Sequence, residues 1–500
     1  MRRVAPVPGL TAMAHDVVIV GGGISGLVSA ILLAETNRTV LVLEQHTVLG
    51  GYLQQFRRKD TTFDVGFHYM GSTAPGRPMR QFLEHLRIWD RLQVVPLPAA
   101  AAITVRHGDR SFSYPTTFAA FRELAITTWP HERDGIERFC TEVDTVCARF
   151  RWFGLERGVD YLHPLDLKLA SASFAEWVGG FLSDPWLLEV LGTQSFNLGL
   201  FAHEVPWSKH VLAFRSNFDH TSRIAGGGGA LVDALVARGR ELGVEYRCKQ
   251  EVVGFECRDR RVVALRTEKG DRCEAVIFLA ACHPKPILRC IDDADLEPMF
   301  KQHVLEMRDS RGALQVWVRL RAPLQSLGGG CVLMQDDAAA AGNPPIHGVL
   351  VVDPSVVDGG PPRVEAMTYM EHSPFAEWAG TPLFRRGEAY DLLKQDLTSR
   401  MLAIMAKVAP ELPELVLDVY SATPLTDQWY TRSEHGAVFG ISHDLSQQGS
   451  NRPMPRMRLR NLFFSGASIA MPGICGVFIN AFDTCSGIRG DESLFEAVAT

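Results

Sequence analysis

Gly21, Gly23 and Gly26, with Glu44 placed 18 residues beyond the last of them, are the residues whose types and spacing first define a chemistry in this chain. Gly21 permits a tight turn. Gly23 lets backbone approach a pyrophosphate with no Cβ in the way, and Gly26 lets a helix pack closely on a strand. A carboxylate at the position of Glu44 accepts the hydroxyls of a ribose. The chemistry implied is capture of a dinucleotide. Three elements must position these residues. The apolar run Val17 to Val20 reads as a buried parallel strand, and Val40 to Leu43 as the next one, ending in Glu44. Between them, Leu27 to Ala34 reads as a helix whose N-terminal N–H groups and dipole face the anion. Ser25 in the turn and Gln45 after the acid join the candidate binding set.

Gly50 and Gly51 follow closely. A doublet at this place resembles that of FAD oxidoreductases of the glutathione-reductase and amine-oxidase type, in which the chain passes close beneath the cofactor. Beyond it, residues 63–71 read FDVGFHYMG. With LEQH at 43–46 and the doublet, this stretch resembles the retinol saturase and carotenoid isomerase branch of the phytoene-desaturase-like flavoproteins. The resemblance covers roughly residues 15–90 and 190–490.

That resemblance implies an α/β fold, with an FAD-binding Rossmann-like domain interleaved with an α+β substrate domain. The order implied is FAD-binding domain at 14–90, 211–300 and 431–495, and substrate domain at 91–210 (mostly helical) and 301–430 (antiparallel sheet plus helices). Gly226 to Gly229 followed by ALVDAL is similar to the family's return to the nucleotide domain, and reads as a turn before a helix. Val252 falls on the strand that passes the adenine. Gly466 and Ala467 end a strand, and Gly473 and Gly476 precede a helix expected to start near Val477. The resemblance places that helix N-terminus at the pyrimidine end of the flavin, where its dipole stabilises an anionic reduced ring. Ala467-Ser468 stands where many members have Asp, and Tyr52 where amine oxidases usually have Arg.

Composition narrows the rest. Five hundred residues that are 46% apolar are enough for a large core. A net charge of −6 with no long basic block argues against nucleic acid. Ten cysteines without a C-x-x-C pair or zinc spacing point to thiols in a reducing compartment and to no metal site. Residues 1–13 carry two arginines and no apolar core of a secretory signal. A cytoplasmic location follows, with peripheral contact with a membrane open. Many aromatics between Phe118 and Trp186, among them Phe150, Trp152, Phe153, Tyr161, Phe174, Trp177, Phe181 and Trp186, suit either a helical core or the wall of an apolar channel.

The function implied is hydride exchange between flavin N5 and a C–C double bond of an apolar polyene, saturating or isomerising it. An external electron donor or acceptor completes the cycle, because no second nucleotide fold is read in the chain. Dehydrogenation of the phytoene-desaturase type, amine oxidation and a flavin-binding scaffold without turnover are the alternatives. Candidates for proton work are His68 and Tyr69 beyond the doublet, and Glu434 and His435 in the segment TPLTDQWYTRSEHGAVFGI expected to face the ring.

Overall fold

Unbroken apolar runs suit parallel strands covered on both faces, and the first two runs pair in this way. Strands His15–Val20 and Val40–Glu44 lie side by side in parallel register, from Val17 opposite Val40 to Val20 opposite Leu43. The structure, a computed structural model, describes residues 15–99, 101–162 and 171–499. Residues 1–14 and 163–170 lie outside them. Glu245–Cys248 joins the outer edge of Val40–Glu44, and Arg272–Ala280 the other edge of His15–Val20, both in parallel. Leu462–Phe464 then adds to Arg272–Ala280. Five parallel strands thus come from three separated parts of the chain. An antiparallel hairpin, Val252–Arg258 and Arg261–Thr267, extends from the first half of Arg272–Ala280.

Helix Ile24–Ala34 is apolar all round because it is buried all round. It packs between helices Gly227–Glu241 and Gly473–Arg489. Both of these begin earlier than the sequence suggests. Gly227 to Gly229 sit in the first turn of one, and Gly473 and Gly476 in the first turn of the other.

The second sheet has seven strands. Its order is Val416–Ala422, Gly312–Leu320, Arg363–Met370, His347–Val352, Cys331–Gln335, Ile103–His107, Arg110–Tyr114. Pairing is antiparallel except between Cys331–Gln335 and Ile103–His107. The hairpin at 103–114, expected within a helical segment, therefore belongs to this sheet. Period two divides the sheet's faces. Leu314, Val316 and Val318 pack with Leu397, Met401 and Met405 of helix Glu388–Val408. Ala313 and Gln315 point the other way, into a large cavity, and Trp317 packs there on Phe56 and Phe63.

The helical layer takes its core from aromatics: Phe118, Phe121, Phe139, Phe174, Phe214 and Phe218 are all buried. Phe174, Trp177, Phe181 and Trp186 belong to that packing, whereas Phe150, Trp152, Phe153 and Tyr161 reach a large cavity. No helix among the described residues is long and apolar enough to cross a membrane.

Candidate functional site

A cavity of about 880 Å³ lies between the two sheets, within the size range of small-molecule sites. Its nucleotide side is built by the glycines. Gly21, Gly50 and Gly51 have φ of 105°, 121° and 58°, which L side chains rarely adopt. Gly50 N–H donates to the Gly22 carbonyl at 2.8 Å. A Cβ on Gly51 would stand 3.2 Å from Gly23 Cα, so the doublet lies directly against the first glycine loop. Gly26 does not line the cavity; its Cβ would meet the Gly21 carbonyl oxygen at 2.0 Å, which makes it a packing residue.

Glu44 is held by backbone. One carboxylate oxygen accepts from Gly22 N–H and the other from His46 N–H, both at 2.7 Å. Gln45, fixed by its amide to the Tyr430 carbonyl at 2.8 Å, and Val252 share that wall. Helix Ile24–Ala34 opens there with Gly23 as N-cap, no side-chain cap and no acid in its first turn. Its orphan N–H groups face the cavity.

The C-terminal glycines complete the wall. Ser25 Oγ donates to Ser465 Oγ at 2.7 Å, which brings the turn at Gly466 and Ala467 onto the first helix. Helix Gly473–Arg489 also begins without a side-chain cap or an acid. Gly473, Gly476 and Val477 line the cavity from its first turns. Asn480 holds this entrance together, donating to the carbonyls of Gly466 and Met471 at 2.8 Å.

A family profile described as flavin containing amine oxidoreductase matches residues 24–483. The chain belongs to this family. Its cofactor is therefore a flavin. The human all-trans-retinol 13,14-reductase is 25% identical over 95% of this chain and 85% of its own length. The 4,4'-diapolycopene oxygenase of Methylomonas sp is 24% identical over 91% and 93%. These relatives come from the branch expected from the sequence. A crystal structure of an oxidoreductase from Methanosarcina mazei superposes with a TM-score of 0.66 at 16% identity, over 95% of this chain and all of that one, and shows the fold.

A flavin nucleotide fits the residues present. Positive-φ glycines, two uncapped helix N-termini and a backbone-fixed acid form a cradle for a pyrophosphate and a ribose. After Gly466, the Ala467 carbonyl is pinned by His443 Nε2 at 2.6 Å. Nε2 of the same ring also lies 3.0 Å from Arg452 Nη2, and Nδ1 lies 2.7 Å from Lys209 Nζ. Arg452 donates to the carbonyls of Ile469 and Ser468 at 2.8 and 2.7 Å, clamping the same turn. Burial, with Arg452 beside it, pushes the Lys209 ammonium well below its ordinary range. Lys209 reaches the cavity wall. Nothing in the local sequence marks Lys209, His443 or Arg452, because their partners are brought together from distant parts of the chain.

The catalytic candidates separate into two pairs. His68 and Tyr69 line the cavity. Tyr69 Oη donates to Asn197 Oδ1 at 2.9 Å, and burial raises its pKa, so the phenol keeps its proton. Burial, aided by Arg223, pushes His68 down to about 4, so it is neutral at cellular pH. Glu434 and His435 correct the expectation of a ring-facing pair. The residues flanking them, Ser433 and Val438, line the cavity, but a short 3₁₀ turn with His435 at φ 56° swings the pair outward. There Glu434 pairs with Arg289 and lies 3.5 Å from Lys285, while His435 lies 3.2 Å from Asp309. They are members of an ion-pair cluster.

Proposed function

We propose that this protein is an FAD-dependent oxidoreductase acting on a carbon–carbon double bond of an apolar conjugated polyene, by saturation or isomerisation. The observation that carries the reading is the continuity of the flavin cradle with a wall of Phe67, Phe196, Leu350, Met367, Tyr369 and Phe439. A long apolar substrate gains about 25 cal/mol per Å² on leaving water for such a wall. The names of the relatives, which act on retinol and diapolycopene, support the same substrate class.

In this reading Glu44 holds the ribose, the two helix N-termini hold the pyrophosphate and the pyrimidine end, and Val252 backs the adenine. The flavin supplies hydride exchange with the substrate carbon. The chain's own part is to exclude water, orient the polyene along the sheet face and hold protons at Tyr69 Oη and His68. Reducing equivalents come from an external donor. Apolar substrates partition into lipid, so peripheral contact with a membrane is part of the reading, as is the division at 14–90, 91–210, 211–300, 301–430 and 431–495.

Anaerobic mixing of the chemically reduced protein with a panel of carotenoids, retinoids and acyl polyenes tests it. Loss or shift of polyene absorbance is expected. Unchanged spectra across the panel would leave a flavin-binding protein without this activity.

A further inference from the structure

Strand Arg363–Met370 places Glu365, Met367 and Tyr369 in one row, on the sheet face opposite the helix Glu388–Val408. Met367 and Tyr369 form cavity wall. Glu365 continues the row one step deeper and is 1% exposed. An apolar side chain would complete this floor at no electrostatic cost, and a carboxyl there requires a reason.

Its surroundings are specific. Glu365 Oε1 accepts from Asp64 N–H at 3.2 Å. Its Oε2 has no hydrogen-bond partner, and neither has Nδ1 of His68, which faces it at 3.8 Å. Two orphaned buried atoms of complementary type thus point at each other, a small closure short of a hydrogen bond. The other ring nitrogen, His68 Nε2, lies 3.1 Å from Met367 Sδ on the cavity side.

The charged groups around Glu365 come from three further places. Asp64 approaches from strand Thr61–Asp64, its Oδ1 accepting from Gly228 N–H at 2.8 Å and Gln55 at 3.0 Å. Arg363, on the strand of Glu365 itself, has Nε 3.9 Å from Glu365 Oε1, and its far end pairs with Asp358 at 2.5 Å. Arg223 donates to the His68 carbonyl at 3.0 Å and to the Asp353 carbonyl at 2.7 Å. Burial and the neighbouring Asp64 raise Glu365 well above the ordinary carboxylate range. A buried carboxyl beside a second acid holds its proton more tightly than a free one.

We propose that Glu365 is the proton store of this site and that His68 carries its proton to the substrate. Neutral His68 has one N–H. With the Glu365 O–H facing Nδ1, that N–H sits on Nε2, on the cavity side. On saturation of a double bond, a hydride from reduced flavin (itself reduced by an external two-electron donor) adds to one carbon. The π electrons pass to the other carbon and form a C–H bond with the Nε2 proton. The Glu365 O–H bond breaks as Nδ1–H forms, which leaves a carboxylate beside Arg363 and a neutral His68. A proton from water then enters at Nε2 and the Nδ1 proton returns to Glu365, which restores both groups. This inference rests on the polyene reading for the carbon step, and on geometry alone for the store.

Infrared spectra of the flavin-loaded protein at neutral pH, in water and in D2O, test the store without substrate. In the difference between wild type and Glu365→Gln, where the other buried acids such as Asp427 cancel, a carboxylic acid C=O band that shifts in D2O is expected, and it is kept in His68→Gln. Its absence from that difference would overturn the assignment. Glu365→Gln keeps an acceptor for Asp64 N–H and nearly the same volume, and its melting temperature and flavin content serve as the check on folding. Single-turnover consumption of a polyene by the reduced protein tests the carrier. Both variants should be about 100-fold slower or more, the usual worth of a positioned general acid. The fall of the wild-type rate at high pH should be missing in Glu365→Gln. Wild-type rates and pH profile in Glu365→Gln would refute the relay and leave the polyene reading intact. If the wild type consumes no polyene, that reading and the carrier fail together, while the infrared band still decides where the proton resides.

Discussion

Ser25 Oγ and Ser465 Oγ are joined by a 2.7 Å hydrogen bond across 440 residues of chain. One belongs to the first turn of the helix after the glycine loop, and the other directly follows the strand Leu462–Phe464. The contact fixes the relative position of the two glycine regions, so the cradle is a joint between chain ends.

Glu44 tests the ribose side of that joint. Glu44→Ala should weaken FAD binding by about 10- to 100-fold, the equivalent of one or two hydrogen bonds to a charged group. Glu44→Gln keeps acceptor capacity for the backbone N–H groups of Gly22 and His46 only in part, so it should fall between. Quenching of flavin fluorescence in titrations of the apoprotein provides the measurement. Wild-type affinity in Glu44→Ala would remove the acid from the site.

Gly23 and Gly26 are three residues apart and should fail differently. A Cβ on Gly23 meets only Gly51 Cα, at 3.8 Å. Gly23→Val should therefore fold with a nearly unchanged melting temperature, yet come out colourless because the side chain occupies the anion's place. A Cβ on Gly26 meets the Gly21 carbonyl at 2.0 Å. Gly26→Ala should cost about 1–3 kcal/mol of stability, or more, by forcing helix from strand. Denaturant midpoints and the flavin spectrum together separate the two.

Asp64 gives a pH signature. Burial, opposed by Gly228 N–H and Gln55, raises it from its ordinary value to about 6. The folded state therefore binds this proton more tightly than the unfolded chain does. Its contribution is fully present below the unfolded pKa and is lost as pH rises through the folded value. Between about pH 4 and pH 6.5, wild type should lose stability relative to Asp64→Asn. Urea melts at several pH values give the difference, and parallel curves would contradict it.

Amines test the family's other chemistry. Tyr52 stands after the doublet where amine oxidases usually carry Arg, its hydroxyl 3.3 Å from the Ala437 carbonyl. Putrescine or benzylamine in air should yield no hydrogen peroxide above background. Sustained peroxide production in a peroxidase-coupled assay would return the protein to amine oxidation.

The cradle was legible because backbone chemistry leaves local marks. A turn with positive φ and a close approach needs glycine, so Gly21, Gly50, Gly466 and Gly473 announce themselves. Buried parallel strands announce themselves too, as apolar runs. Glu434 and His435 misled because chain neighbours on both sides do line the wall, and a single turn reverses their direction. Glu365 and Lys209 left no mark at all. Each has its meaning from a partner far along the chain, 301 residues for Asp64 and 234 for His443. The aromatics between Phe118 and Trp186 divided between core and cavity, since spacing gives the helix but not which neighbour it meets.

Strand Arg272–Ala280 is flanked on one side by His15–Val20, synthesised early, and on the other by Leu462–Phe464, synthesised far later. A growing polypeptide can assemble early strands as they emerge, but it has no complete seat for a flavin until Leu462–Phe464 and the helix Gly473–Arg489 have been made. Cofactor loading then waits for that late strand, and a product cut short before Ser465 would stay empty-handed, whatever its helices and strands had already achieved.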